Sequence, residues 1–246
     1  MKIGIIGAGA IGATIARRLS RAGHDVAIAN SRGPETVDPS ALRTGAYAAP
    51  ASEVAEGASV VIVSVNLGNV PNVAALVSAA EHEATIIDTS NYYPLRDGFV
   101  PALDKGQVES LWVAGHYSRP IVKAWNAITA MSFADKASAK GTPGRISIPV
   151  AADDRHARTI GMALVEDTGF DAFDAGELAH SWRQQPGSPA YCTDRTMAEL
   201  PDALAAADAS RSPLRRDLVM GVVTERAEAG GVIDSDYLVA LNRAVY

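Results

Sequence analysis

Lys2-Ile3-Gly4-Ile5-Ile6-Gly7-Ala8-Gly9-Ala10-Ile11-Gly12 is the stretch that decides the fold. Its first five residues make a short apolar run with β-branched side chains, suited to a buried parallel strand. A G-x-G-x-x-G turn follows at once. Residues 13–22 have helical character, and Val26-Ala27-Ile28-Ala29 reads as a second buried strand. In that context each glycine has a physical role. Gly7 permits the tight turn, Gly9 lets the backbone approach a pyrophosphate, and Gly12 lets the helix pack closely on the sheet. The helix N-terminus adds unpaired N–H groups and a positive dipole end for the anion. The segment predicts a dinucleotide site.

The residues after the second strand bear on which dinucleotide. A site for NAD places Asp or Glu there to bind the ribose 2′-hydroxyl. This chain has Asn30-Ser31-Arg32-Gly33-Pro34-Glu35 instead. Arg32 is suited to charge-assisted bonds with a 2′-phosphate, and Ser31 to donating a hydroxyl. Glu35 as a substitute acid is the weaker reading, because Gly33-Pro34 turns the chain before it arrives. NADP is the expected cofactor.

Outward from this unit, strand-like and helix-like segments alternate, the pattern of a parallel sheet with crossover helices. Residues 52–57 read as a short acidic helix and Val60–Val63 as a third strand. Residues 70–80 read as a helix, Thr85–Asp88 as a fourth strand and residues 91–98 as an irregular loop. Residues 121–125, 146–150 and 170–173 complete the strands, with a helix over 154–168. Ligands of such sheets bind beyond the carboxyl ends of the strands, which singles out Asn66, Asn91 and Asn126. Residues 178–193 are loop-like and rich in polar and aromatic side chains. Helices are expected near 195–207, 214–229 and 236–244. The expected architecture is α/β, a Rossmann-type doubly wound, mainly parallel sheet with a small helical carboxy-terminal part. Residues 1–175 would be the dinucleotide-binding domain, and 176–246 a cover for the substrate and a contact for a homodimer. The stripes Leu200, Leu204 and Leu218, Val219, Val222, Val223 in that tail need cover.

Composition narrows the classes further. Hydrophobic residues make up 48% of 246, ample for a substantial core, and the net charge of −6 carries no footprint for nucleic acid. A single cysteine, Cys192, excludes a disulfide framework within the chain and a cysteine-based zinc site. The five histidines fall at no metal-ligand spacing, so no metal is expected. No run is long enough to span a bilayer, and a cytoplasmic protein is the simplest expectation.

Several segments together resemble a family. The glycine turn, the Asn30–Glu35 loop, Val122-Lys123-Ala124-Trp125-Asn126 and residues 181–187 are similar to the F420-dependent NADP oxidoreductases, best to a bacterial branch described as predicted dinucleotide-binding enzymes. The Lys-Ala-aromatic-Asn element also resembles one in the cytosolic domain of the six-transmembrane metalloreductases, which pass hydride from NADPH to a flavin. The resemblance implies that Gly7, Gly9, Ala10, Ile11 and Gly12 hold the pyrophosphate, and that Asn30, Ser31 and Arg32 hold the 2′-phosphate. It implies that Val65 lines the cleft and that Asn126 lies near the nicotinamide. The archaeal F420 enzymes often carry a histidine where Asn126 stands.

Hydride transfer between nicotinamide and a deazaflavin or flavin needs two rings held face to face and little acid–base machinery. The leading expectation is an NADPH-dependent oxidoreductase with F420 or a flavin as the redox partner. Asn126 would hold the carboxamide or a flavin carbonyl, and Trp182 and Tyr191 are the better candidates for covering a planar ring. A second reading is reduction of a small carbonyl or imine with Lys123 as the acid. The plainer account of Lys123 is a stem packed at the sheet edge with its ammonium on a backbone carbonyl. A third reading is an NADPH-binding sensor without turnover.

Overall fold

Six parallel strands make the main sheet, in a computed structural model that describes residues 1–246. They are β1 (Lys2–Ile6), β2 (Asp25–Ala29), β3 (Tyr47–Ala48), β4 (Val60–Val63), β5 (Thr85–Asp88) and β6 (Val122–Lys123). Their order is β3-β2-β1-β4-β5-β6, so the order reverses between β1 and β4 and opens a cleft at their carboxyl ends. A second, two-stranded parallel sheet pairs β7 (Ser147–Val150) with β8 (Asp171–Asp174). It joins the edge of β6 through one antiparallel bridge, Lys123 to Ala151, whose hydrogen bonds measure 2.8 and 3.0 Å.

The helices are α1 (Ala10–Arg21), α2 (Pro39–Leu42), α3 (Val70–Ser78), α4 (Pro94–Asp97), α5 (Pro101–Asp104), α6 (Glu109–Tyr117), α7 (Ala130–Asp135) and α8 (Arg155–Asp167). The carboxy-terminal part adds a 3-10 helix at Leu178–Gln184, then α9 (Leu200–Ala205), α10 (Ser212–Glu228) and α11 (Ser235–Val245). The central strands are buried on both faces, and the period of two sends alternate residues into two cores. Ile3, Ile5 and Ile62 meet Ile15 and Leu19 of α1 and Leu164 of α8 on one face. Ile6, Val61 and Val63 meet Val70 and Val77 of α3 and Val113 of α6 on the other. This is the doubly wound arrangement that the alternating sequence pattern predicts. No helix is long and apolar enough to cross a membrane.

Several local expectations need correction. Residues 52–57 form turns rather than a helix: the Val54 N–H to Pro50 carbonyl bond closes one turn that is not continued. The segment is pressed against β1, where a Cβ at Gly4 would run into the Val54 carbonyl. The loop over 91–98 contains α4. The strand at 121–125 pairs only at Val122 and Lys123, because Trp125 turns the chain into the left-handed region with φ of 56°. The helix expected from 195 starts at Leu200. Arg195 and Thr196 are instead engaged with β7: the Ser147 N–H donates to the Arg195 carbonyl, and Thr196 bridges Ile146. Of the tail stripes, Leu200, Leu204 and Val219 are buried, whereas Leu218 is 54% exposed.

Candidate functional site: a nucleotide cleft and the amide network beside it

The cleft lies between the glycine turn, the end of β2 and the segment after β4. It has a volume of about 600 Å3, and Gly7, Gly9, Asn30, Ser31 and Val65 all line it. The three glycines differ in what demands them. Gly7 has φ of 108°, and a Cβ there would run into the Ser64 carbonyl. A Cβ on Gly12 would overlap the Gly7 carbonyl. Gly9, by contrast, has φ of −71°, which any residue adopts, and a Cβ there would meet nothing within 4 Å. The protein itself does not require glycine at this position. Gly9 faces the open space of the cleft. Gly9 also caps α1 without a side-chain bond, and the first turn holds no acid, so the leading N–H groups of α1 stay available to an anion. The residues present therefore fit a dinucleotide.

At the end of β2, Asn30 donates from Nδ2 to the Thr36 carbonyl at 3.3 Å, which fixes the loop. Arg32 is exposed beyond the cleft lining. Glu35 is exposed too, and its carboxylate folds back beside Gly33. Ala10 lines a neighbouring hollow rather than the cleft itself. Asn66, Asn69 and Asn72 line the opposite wall. The sequence singles out Asn66 as a residue just past a strand, but Asn69 and Asn72 escaped that rule. Their spacing of three residues along one helical approach was the available signal.

Beyond β5 and β6 the side chains interlock. Asn126 is 2% exposed. Its Nδ2 donates to Asn91 Oδ1 at 3.1 Å and to the Gln184 carbonyl at 2.9 Å. Its Oδ1 accepts from Gln184 Nε2 at 2.9 Å, and Asn91 Nδ2 donates to the Asn126 carbonyl at 2.9 Å. The left-handed turn at Trp125 aims Asn126 into this network, and Trp125 is itself anchored by Nε1 donating to Thr168 Oγ1 at 3.2 Å. Lys123 is 0% exposed. Its Nζ donates to Asp88 Oδ2 at 2.6 Å and to the Ser90 carbonyl. Lys123 thus ties β5 to β6 from beneath, and it does not line the nucleotide cleft. Tyr191 is buried, with its hydroxyl 2.8 Å from that of Tyr93, while Trp182 stays half-buried. No group of three or more His, Cys, Asp or Glu side chains is placed to hold a metal ion.

Sheet order and glycine turn together define a Rossmann-type dinucleotide-binding protein. Residues 2–92 match the model of the family described as NADP oxidoreductase, coenzyme F420-dependent, so the resemblance read from the sequence holds over that stretch. Protein YjhV of Escherichia coli K12 is 49% identical over 55 residues, which cover 22% of this chain and 40% of YjhV's length. Among solved structures, protein SMa0349 of Sinorhizobium meliloti is similar with a TM-score of 0.66 and 27% identity, over 78% of this chain and 93% of that one. A candidate F420-dependent NADP reductase from Arthrobacter sp. FB24 shares the fold with a TM-score of 0.56 and 23% identity, over 74% and 87% of the two chains.

Proposed function

We propose that the protein is an NADP(H)-dependent oxidoreductase that moves hydride between nicotinamide and a deazaflavin (F420) or flavin ring. Residues 1–175 would bind the nucleotide, with 176–246 as the cover and the contact for a homodimer. The observation that carries the reading is the empty space in front of Gly9, beside unused helix N–H groups, in a chain whose first part matches the F420-dependent family. The α1 N–H groups would hold the pyrophosphate, and Asn30, Ser31 and Arg32 the 2′-phosphate. No carboxylate lines the end of β2 to repel that phosphate. Bound there, NADPH supplies the hydride.

The chain's own part is positioning. Asn126 lies outside the cleft lining with its amide engaged by Asn91 and Gln184, so it holds these segments together rather than moving a proton. Lys123, buried against Asp88, supports the same view, and reduction of a carbonyl with Lys123 as acid is the weaker alternative. Anaerobic stopped-flow mixing with NADPH and F420, FMN, FAD or riboflavin tests the proposal. The expected result is bleaching of one acceptor, saturable in NADPH. Arg32→Ala should weaken NADPH by about tenfold and leave NADH unchanged. If every acceptor keeps its spectrum while NADPH binds, the flavin and deazaflavin assignment is wrong, and reduction of a small carbonyl or imine and the sensor reading take its place.

A further inference from the structure

A second, narrower cavity of about 100 Å3 lies between the start of α6, the 3-10 helix at Leu178–Gln184 and the start of α10, and it shares no lining residue with the nucleotide cleft. Two oppositely charged side chains line it. Glu109 is 3% exposed and Arg216 is 8% exposed. Glu109 accepts at Oε2 from the Tyr92 N–H at 3.1 Å. Arg216 uses Nε on Asp217 at 2.8 Å and lies over the Tyr92 ring, 5.4 Å from its centroid. The two are not paired with each other. The Gln185 side chain also lies against the Glu109 carboxylate, and neither terminal nitrogen of Arg216 has a protein partner, although neither is sealed from solvent. Buried charged groups with open hydrogen-bonding positions are costly unless something completes them. What they offer together is one strong acceptor and a fork of donors. Tyr92 and half-buried Trp182 add aromatic wall.

The position ties this cavity to the site. Tyr92 directly follows Asn91, and Gln185 directly follows Gln184, so the cavity backs onto the amide network around Asn126. We infer that it takes the polar edge of the acceptor ring, a pyrimidinedione, with Arg216 donating to a ring carbonyl and Glu109 accepting the ring N–H. That carbonyl–NH–carbonyl edge is common to flavins and deazaflavins. The inference rests on the proposed function and names what the acceptor must present. A cavity of this size holds the edge and leaves the rest of a tricyclic ring to extend outward. Burial raises the Glu109 carboxyl to about 7, with Lys123 and Arg216 opposing the rise, so at about pH 8 it is an ionised acceptor.

The test is binding without NADPH, followed at about pH 8 by quenching of ring fluorescence in the full chain. The probes are riboflavin, 5-deazariboflavin and the N3-methyl derivative of each. At least one parent ring should bind, and N3-methylation should weaken it by about tenfold or more, because a site built to accept an N–H rejects a ligand lacking it. Glu109→Leu should reduce that discrimination to under about threefold, and Arg216→Met should weaken parent and methylated rings alike. Equal binding of parent and methylated rings to the unaltered protein overturns the inference, and that comparison needs no variant to fold. Discrimination that survives in folded Glu109→Leu also overturns it. Hydride transfer from NADPH is measured separately. Turnover with equal binding of the two rings removes the subsite and leaves the proposed function standing. Neither binding nor turnover with any ring removes both.

Discussion

Gly9 and Gly12 are three residues apart and should fail in opposite ways when given a side chain. At Gly12 a Cβ overlaps the Gly7 carbonyl, so Gly12→Ala forces α1 away from the turn and should cost about 1–3 kcal/mol of stability. At Gly9 nothing in the protein resists, and the residue is the N-cap of α1. Aspartate is a better N-cap than glycine. Gly9→Asp should therefore melt at or above the temperature of the unaltered protein while binding NADPH about a hundredfold more weakly or worse, since its carboxylate stands where a phosphate would. Thermal melts and NADPH titrations of the two variants check this. A Gly9→Asp protein that still binds NADPH normally would move the pyrophosphate elsewhere. These glycines were legible in the sequence because their roles are local, set by a turn and a helix start. Glu109 and Arg216 were not. An acid in the first turn of a helix reads as an ordinary dipole partner, and nothing near it in sequence shows that Arg216 closes the same cavity.

Among the elements, β6 is, with β3, one of the two shortest strands of the main sheet, and it depends most on one side chain. Two residues pair it with β5, and the Lys123–Asp88 ion pair fastens the same two strands beneath the site. Lys123→Met leaves the Asp88 carboxylate buried without its cation, and should cost about 3–5 kcal/mol. Adding Asp88→Asn should recover most of that loss. Urea unfolding of the single and double variants distinguishes this positioning role from acid catalysis. An acid would show lost turnover with stability and NADPH affinity intact. The sequence alone suggests that Lys123 lies at a strand end with its ammonium on a backbone carbonyl, and the Ser90 carbonyl is there. Asp88 as its partner was out of reach of a one-dimensional reading, because the pairing spans thirty-five positions and is set by sheet register. The long central strands were legible from their apolar runs. Two-residue β3 and β6 were not resolved as such, because so few residues carry no periodicity.

At the scale of the whole molecule, the buried Glu109 carboxyl couples folding to pH. Its pKa is raised from 4.5 to about 7, chiefly by burial. Between those values the folded chain binds more protons than the unfolded one, so stability falls as pH rises through this range. Glu109→Leu removes that dependence. Relative to the unaltered protein, the variant should gain on the order of 3 kcal/mol between about pH 5 and about pH 8. Denaturant midpoints at the two pH values check the sign and the size. A gain in the opposite direction would mean that Lys123 and Arg216 outweigh burial. The doubly wound order was foreseeable from alternation alone, while the separate pairing of β7 with β8 was not. That separation matters beyond stability. The six-stranded sheet and the two-stranded sheet meet at a single backbone bridge, Lys123 to Ala151, downstream of the stretch that matches the family model. Exchanging the chain beyond this bridge for the corresponding part of a relative would interrupt one pair of strand hydrogen bonds, but it would also replace the Leu164 side of the shared core and the Gln184 end of the amide network. A working chimera must therefore take Asn126 and Gln184 from the same parent and match the core at Leu164.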